Sequence, residues 1–252
     1  MTQTHSTPPA IRAIVTGHTR GLGAALATQL LRRDIAVLGV SRGAHPSLAA
    51  TYGEHFTEAA LDLSDPAQVA AWLAGGELER FAAGARTVLL INNAGTVEPI
   101  GPLDVQAPDA IARAVALNVT APLLFASAVA KLGGGAVERR IAHVSSGAAR
   151  NAYAGWSVYC ATKAALDHHA RAVALDHNGP LRIASVAPGV VDTDMQATIR
   201  ATDVSRFPQL DRFERLKASG ALTTPDDAAR KLIDHLLDDA FGNAPISDVR
   251  DL

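Results

Sequence analysis

The chain has 252 residues, 48% hydrophobic and 19% charged, which suits one α/β domain with a sizeable core. A net charge of −2 and the lack of a basic stripe argue against nucleic-acid binding. The sequence has no signal-peptide pattern at its start and no apolar run approaching the ~20 residues that span a bilayer. Cys160 is the single cysteine, which excludes an intrachain disulfide. We therefore expect a soluble cytoplasmic protein that needs no membrane.

The first predicted elements are a strand at residues 10–16, a glycine-rich turn and a helix. The turn reads G-H-T-R-G-L-G, and a glycine motif between a strand and a helix is the context of a dinucleotide-binding turn. Glycine spacing alone is a weak signal, and the alternative is an ordinary strand-to-helix turn. Gly17 permits a tight turn, Gly21 a close approach of the backbone to phosphate, and Gly23 close packing of the helix. The N–H groups at the helix start attract a pyrophosphate. The turn, with Leu22, is therefore a predicted dinucleotide site.

The second predicted strand, residues 35–40, ends at Ser41 and Arg42, where dinucleotide folds select their cofactor. An acidic residue there binds the ribose 2′-hydroxyl of NAD, whereas an arginine suits the 2′-phosphate of NADP. No acidic residue lies between positions 35 and 44, and Arg20 in the glycine turn is a second candidate for the phosphate. Either arginine is alternatively a solvated surface residue. The pattern favours NADP(H).

A third strand is predicted at residues 59–61, and it ends at Asp62 and Leu63. Asp62 either meets an adenine amino group or only shapes the turn. The sequence S-D-P then caps a helix that we predict to run to about residue 83, because Asp accepts from free N–H groups and Pro fits the first turn. Both residues of this strand end are candidates for the cofactor site.

The apolar run at residues 87–91 predicts a strand that is covered on both faces. It leads into N-N-A-G, in which two adjacent amides and a glycine are able to join neighbouring strand ends and leave room for a ribose. A generic turn has the same letters. The candidates for the cofactor site here are Asn93, Ala94 and Gly95.

A long helix is predicted from Pro108 to about Lys131, and it contains Asn118 in an apolar context. A buried asparagine without partners would cost about 1–3 kcal/mol, so we expect Asn118 to be hydrogen-bonded, either structurally or in a water relay. Three glycines at 133–135 then break the chain. The next strand, residues 140–145, brings Ser146 to the same edge of the sheet.

Ser146, Tyr159 and Lys163 carry the chemistry of the next stretch. Tyr159 and Lys163 are four residues apart on a predicted helix, so their side chains share one face. A cation beside a phenol lowers its pKa from about 10, and such a phenol can act as a general acid or base. The alternative is a Tyr and a Lys that merely lie along an amphipathic helix.

Asn178-Gly179-Pro180 ends this helix, and a strand at residues 181–187 leads into P-G-V-V-D-T. Residues 194–219 are polar, weakly periodic and interrupted by a proline, which predicts a lid or insertion rather than core. A helix capped by T-P-D-D at 224–227 and a last strand through Ile246 complete the chain. Strands alternate with helices throughout, so we predict one domain over residues 1–252 with a doubly wound parallel sheet of about seven strands and helices on both faces.

The motifs T-G-H-T-R-G-L-G, N-N-A-G, Asn118, Ser146, Y-C-A-T-K and P-G-V-V-D-T occur in the order and spacing of the short-chain dehydrogenase/reductase family, which the chain resembles over residues 10–240. The resemblance implies a Rossmann fold, and it implies that Tyr159 donates a proton to a carbonyl whose oxygen Ser146 holds. Ser146 matches the family serine because it lies 13 residues before Tyr159. By the same resemblance, Lys163 binds the nicotinamide ribose and lowers the tyrosine pKa, and Asn118 anchors a water relay.

The same resemblance assigns the cofactor contacts along the chain. It places 93–95 against the adenosine half of the cofactor. From the P-G-V-V-D-T segment it implies four cofactor-binding residues, which are Pro188, Gly189, Val191 and Thr193. Of these, Val191 and Thr193 meet the nicotinamide carboxamide.

Within that family, S-S-G-A-A, G-W-S-V-Y and P-G-V-V-D-T-D-M resemble the sepiapterin reductase and benzil reductase group, whose members reduce vicinal diketones and related carbonyls with NADPH. Trp156 in this motif either walls the substrate pocket or anchors a subunit interface or the core. The resemblance also implies a homodimer or homotetramer. Alternatives are a 3-oxoacyl thioester, sugar or polyol substrate, or an NADP-binding regulator without turnover.

No metal site is expected from the nine histidines. The adjacent pair His168-His169 points in different directions on a helix, and no H-x-x-x-H or C-x-x-C spacing is present. We interpret His143, on a predicted strand, as a core or edge residue with satisfied hydrogen bonds.

Overall fold

The computed structural model describes residues 11–133, 137–176 and 179–252, so the predicted breaks at Gly134, Gly135 and Asn178 lie outside the described residues. It contains a seven-stranded, wholly parallel sheet. The strands are β1 (Ile11–Thr16), β2 (Ala36–Ser41), β3 (Phe56–Ala60), β4 (Thr87–Asn92), β5 (Glu138–Val144), β6 (Leu181–Ala187) and β7 (Ile246–Asp248). Their order is β3-β2-β1-β4-β5-β6-β7. The chain adds strands toward one edge from β1 to β3 and toward the other edge from β4 onward, so the switch point lies between β1 and β4. In such sheets, ligands bind beyond the carboxyl ends of the strands at this switch point.

The helices cover both faces of this sheet, as the alternation of elements predicted. They are α1 (Gly21–Leu31), α2 (Leu48–Tyr52), α3 (Pro66–Ala74), α4 (Glu77–Ala82), α5 (Pro108–Val115), α6 (Ala121–Ala130), α7 (Ser157–Val173), α8 (Asp194–Arg200), α9 (Leu210–Ala218) and α10 (Pro225–Leu237). A wide π-helical turn, Ala116–Thr120, joins α5 to α6 without a break in the chain direction.

The sheet separates two apolar cores because successive strand residues point to opposite faces. On β1, Val15 packs with α1 and α10 in one core, whereas Ile14 packs in the other, against α6 residues such as Phe125. A third cluster lies beyond the carboxyl edge of the sheet and includes Trp156 and Phe207. The predicted doubly wound fold is confirmed.

The predicted helix over residues 64–83 is wrong as one element. Asp65 caps its start as predicted, and its carboxylate accepts from the N–H groups of Ala67 and Gln68 at 3.0 and 3.1 Å. The helix ends at Ala74, however, with Gly75 as its C-cap, because Gly76 takes a positive φ of +80° that an α-helix does not contain. A separate helix, α4, follows. The third strand also covers Phe56–Ala60 rather than 59–61.

The segment 194–219 differs from its prediction as a polar insertion outside the core. It forms α8 and α9, and it buries Ile199, Phe207 and Phe213 to 2%, 0% and 6% exposure. Its apolar side chains are widely spaced along the sequence, so their shared burial is visible only in the folded chain.

The expectation that no apolar stretch approaches the length of a membrane span is wrong for Pro108–Ala130. This helix has 23 residues with a mean hydropathy of 1.5, so it is long and apolar enough to cross a bilayer by length and composition. Its second half packs on the sheet, and Phe125 is fully buried there. Packing in a protein core explains the apolar composition of this half.

Candidate active site

A cleft of about 1680 Å³ runs along the carboxyl edge of the sheet, across the switch point. It collects residues from the ends of β1 to β6 and from segment 194–219. The sequence-selected residues that line it are Gly17, Arg20, Gly21, Leu22, Gly23, Ser41, Arg42, Asp62, Leu63, Asn93, Ala94, Gly95, Ser146, Trp156, Tyr159, Lys163, Pro188, Gly189, Val191 and Thr193. Asn118 is the one selected residue that lies behind the wall of the cleft.

The glycine turn fits the close packing that a pyrophosphate site needs. A Cβ at Gly23 would lie 2.0 Å from the carbonyl oxygen of Gly17 and 2.5 Å from Nδ2 of Asn93. Gly17 has a positive φ of +71°, and a Cβ there would lie 2.9 Å from Cα of Ala94. The start of α1 therefore approaches the strand ends as closely as a bare backbone permits, with its free N–H groups at the cleft.

Asn93 joins the ends of β1 and β4, as the two-amide motif predicted. Its Nδ2 donates to the carbonyl oxygens of Thr16 and Gly17 at 2.9 and 3.2 Å, and its N–H donates to Oγ1 of Thr16 at 3.0 Å. The other amide, Asn92, turns away from the cleft toward His143. The motif thus holds two neighbouring strand ends at fixed positions in the cleft wall.

Arg42 and Asp62 lie at the β2–β3 end of the cleft. Arg42 is exposed, and Ser41 beside it donates its hydroxyl to the carbonyl oxygen of Gly43 at 2.6 Å. Asp62 accepts from the N–H and hydroxyl of Ser64, and these bonds hold the pKa of its carboxyl below the ordinary value. Asp62 thus shapes the turn and also lines the cleft.

Arg20 forms an ion pair that the sequence did not predict. Its Nη1 lies 3.1 Å from Oδ2 of Asp194, at the start of α8, and both side chains are largely exposed. Gly21 beside it approaches the side chain of Thr193, to which a Cβ would lie 3.2 Å away. These contacts bring the glycine turn and the P-G-V-V-D-T segment together at the cleft.

Tyr159 lies in the first turn of α7, and Ser146 follows the end of β5. Tyr159 is 7% exposed, and burial raises the pKa of its phenol, while a hydrogen bond with Ser146 opposes that rise. The Ser146 hydroxyl also accepts from the N–H of Ala148 at 3.1 Å, which fixes its orientation. A hydroxyl and a neutral phenol therefore meet at the cleft wall.

Lys163 lies one turn after Tyr159 on the same face of α7. Its Nζ donates to the carbonyl oxygen of Val144 at 2.7 Å and is 5.8 Å from the centroid of the Tyr159 ring. Burial lowers the pKa of its ammonium to about 8, and Asp167 opposes that change. The sequence prediction of a lowered tyrosine pKa is therefore wrong for this arrangement, because burial raises the pKa of the phenol more than the hydrogen bond with Ser146 lowers it.

Asn118 has the hydrogen-bond partners that its burial demanded. It sits in the π-helical turn, donates Nδ2 to the carbonyl oxygen of Thr96 and to Oγ1 of Thr162, and accepts from the N–H of Thr96. A Cβ at Gly95 would lie 3.2 Å from its Oδ1 and 3.6 Å from Nζ of Lys163. Asn118 and Lys163 thus flank the same glycine of the cleft wall.

Trp156 belongs to an aromatic cluster in the cleft wall. It stacks on Phe207 with ring centroids 4.5 Å apart and meets Tyr159 edge-on at 5.4 Å. Phe213 contacts both Trp156 and Phe207 at 5.4 Å. Of the alternatives for Trp156, the structure places it both in the cleft wall and in a small core that attaches segment 194–219 to α7.

Sequence reasoning missed several side chains around the site. Phe207 and Phe213 lie in a segment without a readable motif. Asp248 and Arg250 line the cleft from the chain end and form a two-bond ion pair with each other. Asp167 was detectable, since it follows Lys163 by four residues and so shares its helix face.

His143 is buried between two polar neighbours, as its interpretation as a core residue predicted. Asn92 Nδ2 lies 3.1 Å from its Nδ1, and His169 Nδ1 lies 3.1 Å from its Nε2. Burial lowers the pKa of His143 to about 3. Within residues 11–133, 137–176 and 179–252, no group of three His, Cys, Asp or Glu side chains is arranged to hold a metal ion.

Comparison with known proteins assigns this site to a family. The profile of the short chain dehydrogenase family matches residues 12–204, which include the glycine turn, Ser146, Tyr159 and Lys163. The chain belongs to the short-chain dehydrogenase family. Members of this family are oxidoreductases that use nicotinamide cofactors, so the chain is an oxidoreductase with such a cofactor.

Several individual proteins are similar to this chain over most of their length. The chain is 37% identical to benzil reductase ((S)-benzoin forming) of Bacillus cereus over 226 residues, covering 87% of this chain and 91% of the relative. It is 34% identical to sepiapterin reductase of Mus musculus over 254 residues, covering 94% and 96%. A crystal structure of a short-chain dehydrogenase/reductase from Burkholderia vietnamiensis is 60% identical, with a TM-score of 0.72 and coverage of 97% and 99%.

Proposed function

We propose that the protein is an NADPH-dependent carbonyl reductase that reduces a ketone or vicinal diketone, with Tyr159 as the proton donor. The observation that carries this proposal is the convergence of Ser146, Tyr159 and Lys163 at the wall of the same cleft that the glycine turn lines. The benzil and sepiapterin reductase relatives support the substrate class. The bound cofactor would supply the hydride, and the protein supplies position and the proton.

Each residue has a distinct part in this reaction. Tyr159 is protonated at neutral pH because burial raises its pKa, which suits a group that gives a proton to a carbonyl oxygen. The Ser146 hydroxyl donates to the same oxygen and stabilises the charge that develops there. The Lys163 ammonium, charged below a pH of about 8, contributes a positive field beside the phenol and is available to the cofactor ribose.

The choice of NADPH rests on the end of β2. Arg42 is exposed and lines the cleft there, and no acidic residue occurs between positions 35 and 44 to bind a 2′-hydroxyl. Arg20 is also at the cleft, although its ion pair with Asp194 must open before it binds a phosphate. We further propose one domain over residues 1–252, a substrate-binding role for segment 194–219, and a cytoplasmic homodimer or homotetramer.

The test is NADPH oxidation, followed by absorbance, with vicinal diketones, sepiapterin-like ketones, 3-oxoacyl thioesters and sugars as substrates. We expect Tyr159→Phe to lose turnover by at least about 10³-fold with NADPH affinity retained, because the proton donor is removed. Tyr153→Phe is the matched control, since Tyr153 lines the same cleft. Full activity of Tyr159→Phe contradicts the mechanism, and NADPH binding with no turnover of any substrate favours a regulator.

Cofactor choice has its own measurement. We expect Arg42→Leu to raise the KM for NADPH by about tenfold or more, while the KM for NADH changes little, because one phosphate contact is lost. Arg32→Leu serves as the control, because Arg32 is exposed and lies at the C-terminal end of α1, away from the glycine turn. Equal effects on both cofactors would refute a contact with the 2′-phosphate.

A further inference from the structure

Asp167 is a buried carboxylate with no part in the reaction described above. It is 4% exposed, and its Oδ1 accepts from the hydroxyls of Ser145 at 2.6 Å and Ser185 at 2.7 Å. Its Oδ2 is buried and lies 3.6 Å from Nε of Arg150. One carboxylate on α7 therefore connects the end of β5, the middle of β6 and the turn that follows Ser146.

The position of Asp167 relates it to two groups of the site. Ser145, which donates to the carboxylate, directly precedes Ser146 and is paired to β6 through its N–H, which donates to the carbonyl oxygen of Val186 at 2.8 Å. Lys163 lies one helical turn before Asp167, so the two side chains share a face of α7. A buried anion is costly unless a cation and hydrogen-bond donors surround it, and both are present here.

The titratable groups of the elements that pack near this carboxylate are few. On α7 these are Tyr159, protonated and neutral, and the Lys163 ammonium. From β5, His143 is neutral because burial lowers its pKa to about 3. From the turn after Ser146, Arg150 is near Oδ2, and Asp248 of β7 lies beyond it, within electrostatic reach of that guanidinium. Among the described groups, Asp167 is the anion that acts on Lys163.

We propose that Asp167 is a positioning residue for the reductase reaction, with two effects that are separable by experiment. Through Ser145 it fixes the end of β5, and hence Ser146, relative to the helix that carries Tyr159. Through its charge it favours the protonated form of the buried Lys163, which lies one helical turn away on the same face of α7. The proposal rests on the proposed reductase function for its first effect, whereas the second effect is measurable without any substrate.

The charge effect is tested by titrating Lys163 directly. The chain has four lysines, Lys131, Lys163, Lys217 and Lys231, so a protein labelled with ¹³C at lysine Cε gives few signals, and Lys163→Arg assigns the one of interest. We expect Asp167→Asn to lower the titration midpoint of Lys163 by about 1 to 2 pH units, because a neighbouring negative charge is lost. Ser185→Ala is the matched control, since it removes one hydrogen bond to the same Oδ1 and retains the charge. An unchanged midpoint in Asp167→Asn overturns this effect.

The positional effect is tested with two serines that donate to the same oxygen. We expect Ser145→Ala to lower kcat by about tenfold with the Lys163 midpoint unchanged, because Ser146 is no longer held through its neighbour. Ser185→Ala, on the next strand, should leave kcat within about twofold. Equal kcat values for the two variants overturn the positional effect, and this comparison stands even if Asp167→Asn does not fold. A wild-type enzyme without turnover refutes the proposed function instead, and the Lys163 titration still tests the charge.

Discussion

Phe207→Ala tests whether segment 194–219 is attached to α7 by one aromatic stack. Phe207 is fully buried and stacks on Trp156 with a centroid distance of 4.5 Å. Burying a phenylalanine removes about 150–200 Å² from water, which at about 25 cal/mol/Å² is worth about 4–5 kcal/mol, and an aromatic pair adds about 1 kcal/mol. Alanine retains part of this burial, and replacing a core phenylalanine with alanine typically costs about 3–5 kcal/mol. If the segment loses about 4 kcal/mol of its stability against local opening, its opening equilibrium shifts by about 10³-fold.

We expect this loss to appear locally, as faster amide hydrogen exchange in residues 194–219 and a KM for the diketone raised by more than about tenfold. Phe241→Ala is the matched control, because Phe241 is also fully buried but packs in the core beside α10. That variant should lose a similar amount of global stability in urea, with KM within about twofold of wild type. If Phe207→Ala leaves both segment exchange and KM unchanged, the segment is not held by this stack, and the reasoning is wrong.

Three further changes have expected outcomes. Gly23→Ala should weaken NADPH binding by at least about tenfold in a fluorescence titration, because its Cβ would lie 2.0 Å from a backbone oxygen; Gly43→Ala, with open space around it, should not. His143 stays neutral in the fold, with a pKa of about 3 against 6.5 when unfolded. The unfolded chain alone then takes up this proton as pH falls below about 6.5, so stability in urea should fall by up to about 1.4 kcal/mol per pH unit, and His143→Gln should flatten that slope. Asp65→Ala should cost about 1 kcal/mol in urea unfolding, since α3 loses its cap.

The architecture followed from local patterns along the chain. The apolar run of β4, the strand of β6 and the Asp65 cap were predicted because strand burial and helix capping depend on neighbouring residues. The break at Gly75-Gly76 was missed, although adjacent glycines are a turn signal and Gly76 takes the left-handed conformation that ends a helix.

The chemistry of the site was determined in part by the sequence alone. The spacing of Tyr159 and Lys163, the glycine turn and the Asn93 motif placed these residues together, because the carboxyl ends of parallel strands meet at one edge. The protonation of that site was decided by the tertiary structure. Burial raises the pKa of Tyr159, and the ammonium of Lys163 bonds to a strand carbonyl, and neither burial nor that contact is encoded in a four-residue spacing.

Contacts between distant parts of the chain were also decided only by the fold. Phe207 meets Trp156 across 51 positions, and Asp167 accepts from Ser145 and Ser185, 22 and 18 positions away. The hydrophobic periodicity of a single helix or strand does not predict such contacts, because they depend on how the strands and helices pack together. The sequence by itself therefore determined the family, the sheet and the candidate site residues. The tertiary structure determined which of these groups are charged, what holds them in place and how segment 194–219 packs on α7.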